Sequence, residues 1–204
     1  MVAETRLAEA LAARLCHDLG GAVGTLAGTL DLVSEGDTGL LDLARETAIG
    51  LRQRLCLFAA AWGGVSAALG AEDLAALLAG APAAGRVEFR LAALAPGSVL
   101  PAPLVPLALN AALLGAEALP RGGTVLLAGS AEDGLVVSPA GRDAAWPAGL
   151  RALCEGTAPP EGPRGILAPL LLGLATERGW QVGFGTPVAA GPPALRLEPP
   201  QGPR

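Results

Sequence analysis

Lysine and tyrosine are absent from this 204-residue chain, and histidine and asparagine occur once each, as His17 and Asn110. All 14 basic residues are arginine, set against 19 acidic ones, for a formal net charge of −5. Such a chain lacks the basic face that nucleic acid requires, so a nucleic-acid partner is excluded. The missing lysines, with 29 Gly, 18 Pro and abundant Ala, read as a GC-rich coding bias and not as a functional signal. Cysteine is sparse. Cys16, Cys56 and Cys154 are far apart and odd in number, and no CxxC occurs. With one histidine beside them, no metal site of the usual ligand spacing can be assembled, and reduced thiols in a cytoplasmic protein are the simplest reading. The start, MVAETRLAEA, places acids where a signal peptide needs a basic segment and an apolar run. Good membrane spans are missing too. LCLFAAAWGGVSAALGA is barely long enough, and VLPAPLVPLALNAALLGA is broken by Pro101, Pro103 and Pro106, whereas a span needs ~20 apolar residues.

What is present is a large apolar fraction, 51%, enough for a proper core and too much for disorder over most of the length. From Thr5 to Val33, Leu11, Leu15, Leu19, Ala22, Leu26, Leu30 and Val33 recur at three- and four-residue steps, which predicts one long helix. SEGDTG (Ser34 to Gly39) is a turn cluster. A second helix follows from Leu40 to Trp62, with Leu40, Ala44, Ala48, Leu51, Leu55, Phe58 and Trp62 on one face. The two make an antiparallel hairpin, which cannot cover its own stripe; a second copy would complete a four-helix bundle. After Trp62 the texture changes. GGVSAALGA reads as a hinge and EDLAALLAG as a short helix. RVEFRLAAL, GTVLLAGS, GLVVSPAG, WQVGFG and ALRLEP read as strands. AEDG links two of these as a hairpin turn, and WQVGFG and ALRLEP form another pair. Helices are predicted over Val105–Leu119, Trp146–Leu153 and Gly165–Arg178, and the tail PPQGPR as frayed. The fold class is α+β, with a two-layer α/β sandwich after the hairpin.

The sole histidine sits in LAARLCHDLGG. With Leu15 at the centre of the apolar stripe, His17 lies roughly 200° away, on the far side of the helix. Ala10, Ala13, Arg14, Gly20, Gly21, Gly24 and Gly28 share its face. Glycine in a helix interior costs roughly 1 kcal/mol relative to Ala, so this bald surface implies that something approaches the backbone. Either another helix packs there, since Gly20, Gly24 and Gly28 are spaced like a GxxxG contact, or a partner protein reaches the imidazole. Arg14 is placed to pair with an anion brought to His17. Asp18 is placed to hold one ring nitrogen and so decide which is free. An exposed imidazole ringed by small residues suits nucleophilic catalysis through a phosphohistidine.

LAARLCHDL resembles the phosphoacceptor helix of the ChpT-type histidine phosphotransferases of alphaproteobacteria. RLCLFAAAWGG resembles the end of that family's second helix. NAALLGAEALPRGGTV resembles its helix, Leu-Pro, Gly-Gly and strand passage, and GILAPLLLGLATERGWQV its last helix and strand. The resemblance implies a homodimer whose hairpins, residues 1–66, form a four-helix bundle for dimerisation and phosphotransfer. Residues 67–204 would then be a degenerate domain resembling a histidine-kinase ATPase domain. It implies that His17 accepts a phosphoryl group from the receiver domain of a hybrid histidine kinase and passes it to response-regulator receiver aspartates. Arg14 and Asp18 would assist, and Ala13, Gly20, Gly21, Gly24 and Gly28 would form the docking face. Mg²⁺ is expected on the partner receiver, and no ATP, other cofactor or metal on this chain. Where the family often carries Ser/Thr-Pro after the histidine, this chain has Gly21-Ala22.

Two other readings stand beside this one. A histidine-kinase core would need an asparagine near Leu114, an Asp-x-Gly-x-Gly where Ser138, Ala140 and Arg142 stand, and a better glycine lid than EGPRGILAP. A non-catalytic dimerisation scaffold would leave the glycine-lined histidine without a purpose.

Overall fold

The computed structural model describes residues 2–64, 67–94, 97, 99–147, 150, 153, 165–186 and 191–200. Helix α1 (Val2–Leu32) and helix α2 (Thr38–Trp62) form the expected hairpin. α1 continues unbroken through Gly20, Gly21, Gly24 and Gly28. α2 starts two residues before the predicted Leu40. The cause is Asp37, whose side chain accepts a hydrogen bond from the Leu40 N–H at 3.1 Å and caps the first turn.

The rest of the chain follows in the order α3 (Ala71–Leu78), β1 (Val87–Leu94), α4 (Val105–Glu117), β2 (Gly123–Ser130), β3 (Gly134–Ala140), α5 (Leu167–Glu177), β4 (Gln181–Phe184) and β5 (Leu195–Glu198). The five strands form one mixed sheet in the order β1-β2-β3-β5-β4. β1 and β2 are parallel; the other neighbours are antiparallel. The class is therefore α+β. The AEDG turn joins β2 to β3 as expected, with Ser130 Oγ accepting from the N–H groups of Glu132 and Asp133. The last two strands pair as WQVGFG and ALRLEP predicted.

α4 lies against β2 and β3 and is buried at every residue from Val105 to Ala116. Pro106 sits in its first turn, where a missing N–H costs nothing. Gly115 lets the helix sit close to the sheet: a Cβ there would stand 3.0 Å from methyls of both Val125 and Val137. Gly122, in the LPRGG turn, is required twice over. Its φ is +80°, and a Cβ would collide with the Arg86 carbonyl oxygen.

The predicted helix over Trp146–Leu153 falls largely outside the described residues; residues 144–147 are not helical, and Leu150 and Leu153 are. The connector read as a hinge is tied down at one end. Leu69 and Leu100 exchange backbone hydrogen bonds of 3.0 and 2.8 Å, while residues 65–66 lie outside the described residues. So does the tail from Gln201 onward. Among the described residues, no helix is long and apolar enough to cross a membrane.

The packing runs across the junction between hairpin and sheet. Leu57, Phe58 and Ala61 of α2 belong to the same buried cluster as α4 and the sheet. Phe58 and Trp62 stack with ring centroids 4.3 Å apart. Trp62 Nε1 donates to Asn110 Oδ1 at 2.9 Å, and Asn110 Nδ2 donates to the carbonyls of Ala61 (3.1 Å) and Pro106 (2.8 Å). The only asparagine is thus a fully buried bracket between α2 and α4. Asn110→Ala strands one donor and two acceptors at about 1 kcal/mol or more each, so a loss of about 3 kcal/mol is expected in a denaturant melt. A loss below about 1 kcal/mol would show that the bracket is not needed.

Candidate functional site

α1 presents different surfaces on its different sides. Leu15, Ala22 and Thr29 turn toward α2 and are partly or fully buried. Ala13, His17, Gly20, Gly21, Gly24 and Gly28 are exposed. A Cβ built on any of these four glycines meets nothing within 4 Å, so among the described residues they serve no close packing of α1. The GxxxG spacing is not an α1–α2 contact.

The His17 side chain is 62% exposed, and the aspartate next to it is 6% exposed. Asp18 stands where the sequence placed it, against one ring nitrogen of His17. Its carboxylate is divided between two partners. Oδ1 accepts from His17 Nδ1 at 2.9 Å, and Oδ2 from Arg14 Nε at 2.5 Å. Arg54, across the hairpin on α2, donates from Nη1 to the Asp18 carbonyl at 2.7 Å. A carboxylate offers only acceptors, so Nδ1 carries the ring proton and Nε2 presents its lone pair to solvent.

Arg14 is not placed as the sequence suggested. It sits at the edge of the His17 face and turns inward, with a side chain 11% exposed, where it is already engaged. Nε holds Asp18, and Nη1 holds Glu117 Oε1 on α4 at 2.5 Å. Burial acts to lower its pKa, but the hydrogen bonds it donates to Asp18 and Glu117 and the charges of those carboxylates outweigh it, and the pKa lies above the ordinary arginine value. A raised base contributes stability that is complete below its unfolded pKa and lost only as pH climbs through the folded one. The arginine side of this bridge therefore does not titrate near neutrality. With both carboxylates in place, the guanidinium has no free fork to offer an incoming anion.

Two members of the site, Arg54 and Glu117, were not foreseen. For Glu117 the signal was present: between Arg90 and Arg121 it is the only charged residue. A single carboxylate ending a fully apolar helix needs a partner. Arg54 carried no such mark, standing two residues after Arg52 in LRQRLCLF. Among the described residues, no group of three or more His, Cys, Asp or Glu is placed to hold a metal ion.

Comparison with known proteins places this geometry in context. A family model described as the histidine phosphotransferase C-terminal domain matches residues 71–187. A solved structure described as a bacterial phosphotransferase, determined at 1.7 Å, is 26% identical and superposes with a TM-score of 0.76, over 95% of this chain and 96% of that one. Full-length ShkA in complex with AMPPNP gives 17% identity and a TM-score of 0.40, over 96% of this chain and 45% of that one. The histidine kinase AdeS of Acinetobacter baumannii gives 11% and 0.42, over 91% and 96%. Those two scores are too low to carry weight. No curated protein matches the chain by sequence.

Proposed function

We propose, since the chain belongs to the histidine phosphotransferase family, that it is a phosphorelay carrier in which His17 is the phosphoacceptor. It takes the group from the receiver domain of a hybrid histidine kinase and delivers it to response-regulator receiver aspartates in the cytoplasm. One observation carries this reading. The only imidazole in the chain is exposed, its Nδ1 is held by a buried carboxylate, which leaves Nε2 as the nitrogen free to react, and Ala13, Gly20, Gly21, Gly24 and Gly28 on the same helix are exposed small residues.

The transfer balances on these groups. The Nε2 lone pair attacks phosphorus of the receiver's aspartyl phosphate. The P–O bond breaks, and its electron pair stays on the departing aspartate carboxylate. The proton on Nδ1 does not move, and Asp18 faces the cationic ring that results. Onward delivery is the same displacement reversed, with a second receiver's carboxylate as nucleophile. Mg²⁺ belongs to the receiver on this reading.

No ATP enters. Leu114, where a kinase needs its metal-binding asparagine, is buried in the core, and Asn110 one turn earlier is consumed by Trp62, Ala61 and Pro106. Ser138 stands where a carboxylate would be needed, followed by Ala140 and Arg142.

A homodimer fits the surface of the hairpin. Cys16, Val23 and Leu30 on α1, and Leu41, Ala48 and Leu55 on α2, recur at seven-residue steps and are all exposed. At roughly 100° per residue both stripes fall on the same side of the hairpin, away from α4. Val23, Leu30, Leu41 and Leu55 are each about half exposed, which makes an apolar strip too continuous for a free surface. A second hairpin laid against it completes a bundle and leaves the glycine face clear for the receiver.

Three outcomes are expected. His17→Ala should fold and associate as the parent does but take no acid-labile label from a phosphorylated receiver; residual label would overturn the assignment. Leu55→Glu should convert the dimer to a folded monomer by light scattering, because the side chain is not part of the single-chain core. An intact dimer would place the interface elsewhere. Gly24→Gln should keep or raise the melting temperature, by up to roughly 1 kcal/mol in stability, and slow transfer by about tenfold through obstruction of docking. A lowered melting temperature would assign the glycines to packing between two copies.

A further inference from the structure

We propose that Glu117, on the far side of the chain's sequence from the histidine, is a positioning residue that sets the proton of His17 through Arg14 and Asp18. The proposal rests on the reading of His17 as the acceptor.

The placement of Glu117 is electrostatically unfavourable on its own account. It lies in the last turn of α4, where the helix dipole presents its negative end. It follows twelve successive buried residues with no other charge among them. A carboxylate there is tolerable only with a cation, and Arg14 from α1 supplies it at 2.5 Å. The same guanidinium holds Asp18 by a different nitrogen, so two carboxylates from separate elements fix one planar fork.

An i,i+4 pair such as Arg14–Asp18 is weak when it stands alone on a helix. Two long torsional arms are then free to separate. Anchoring Arg14 to α4 removes that freedom. With Oδ2 of Asp18 fixed by Arg14, and the Asp18 carbonyl fixed by Arg54, Oδ1 has one direction left, toward His17 Nδ1. A histidine side chain in water prefers its proton on Nε2. That tautomer has no lone pair at the outward nitrogen and cannot attack phosphorus there. Glu117 thus holds the ring in the less common, reactive tautomer. The C-terminal sheet domain thereby contributes to the chemistry of a histidine that it does not touch.

The test is ¹⁵N NMR of His17 in the full, unphosphorylated protein, with transfer kinetics alongside. The parent is expected to show the Nδ1–H tautomer. Glu117→Ala is expected to move the proton toward Nε2 and to lower the transfer rate constant at saturating receiver by about tenfold, with the half-saturating receiver concentration unchanged. Glu117→Gln, whose carbonyl oxygen still accepts from Arg14, is expected to keep the tautomer and most of the rate. Should Glu117→Ala fail to fold, the pair Arg14→Met with Glu117→Leu fills the same space without charge, and the same tautomer shift is expected. An unchanged tautomer in both the single and the paired variant overturns the proposal. So does a rate loss that appears only as weaker receiver binding. A parent protein that takes no phosphoryl group would sink the acceptor reading instead, and the tautomer measurement would still decide the role of Glu117.

Discussion

α2 belongs to two structures at once, and the geometry of the site depends on that sharing. One of its faces forms the hairpin with α1. Its last turns, through Leu57, Phe58, Ala61 and Trp62, are part of the core built by α4 and the sheet. Asn110 closes this joint with three hydrogen bonds, two of them to Trp62 and Ala61. Because α2 is held at this end, α1 is held too, and Arg14 comes within reach of Glu117, 103 positions later in the chain. A hairpin joined to its second domain only by a loose linker would give that ion pair no fixed distance.

The hairpin then divides into sides with different physical duties. α4 occupies one side, where Arg14, Asp18 and Glu117 are taken out of water. The opposite side carries the heptad-spaced apolar residues, from Cys16 to Leu30 and from Leu41 to Leu55, which no element among the described residues covers. The glycine face with His17 lies on the outer edge of α1, between the two. This division answers a conflict built into the proposed function. A phosphocarrier must hold its histidine in one orientation and also leave it open to a succession of partners. Holding from beneath, through a buried carboxylate and a guanidinium, satisfies the first need without adding bulk to the surface that the second requires.

Most of the secondary structure was legible because apolar periodicity and turn residues act locally. The 3.6-residue rhythm located α1, α2, α4 and α5, and AEDG located a hairpin. The order of the sheet was not legible. The parallel neighbour of β1 is chosen by the Gly122 turn and the fit of Gly115 against Val125 and Val137, which are contacts between distant segments. In the site, His17 stood out because the residues around it are small and because it is alone of its kind. Arg14 was placed wrongly for a specific reason. A helical wheel assigns a residue near the border of a face to solvent or to a neighbour with equal ease, and only the position of Glu117 decides between them.

The residues that could have corrected that reading were the exceptions to their surroundings. Asn110 and Glu117 are the two strongly polar residues in an otherwise apolar stretch from Val99 to Leu119. Both are tied by hydrogen bonds to the hairpin, one to α2 and one to α1. Desolvation is the common cause. A polar group carried on a buried helix has to meet its partner wherever the fold brings one, so its presence in the sequence marks a contact without saying with what. The same argument runs in the other direction for the glycines. Four of them in one helix lower its intrinsic stability, and among the described residues no close contact compensates. On the function proposed above the compensation comes from outside the chain, from a receiver surface resting on a flat helix face around one imidazole.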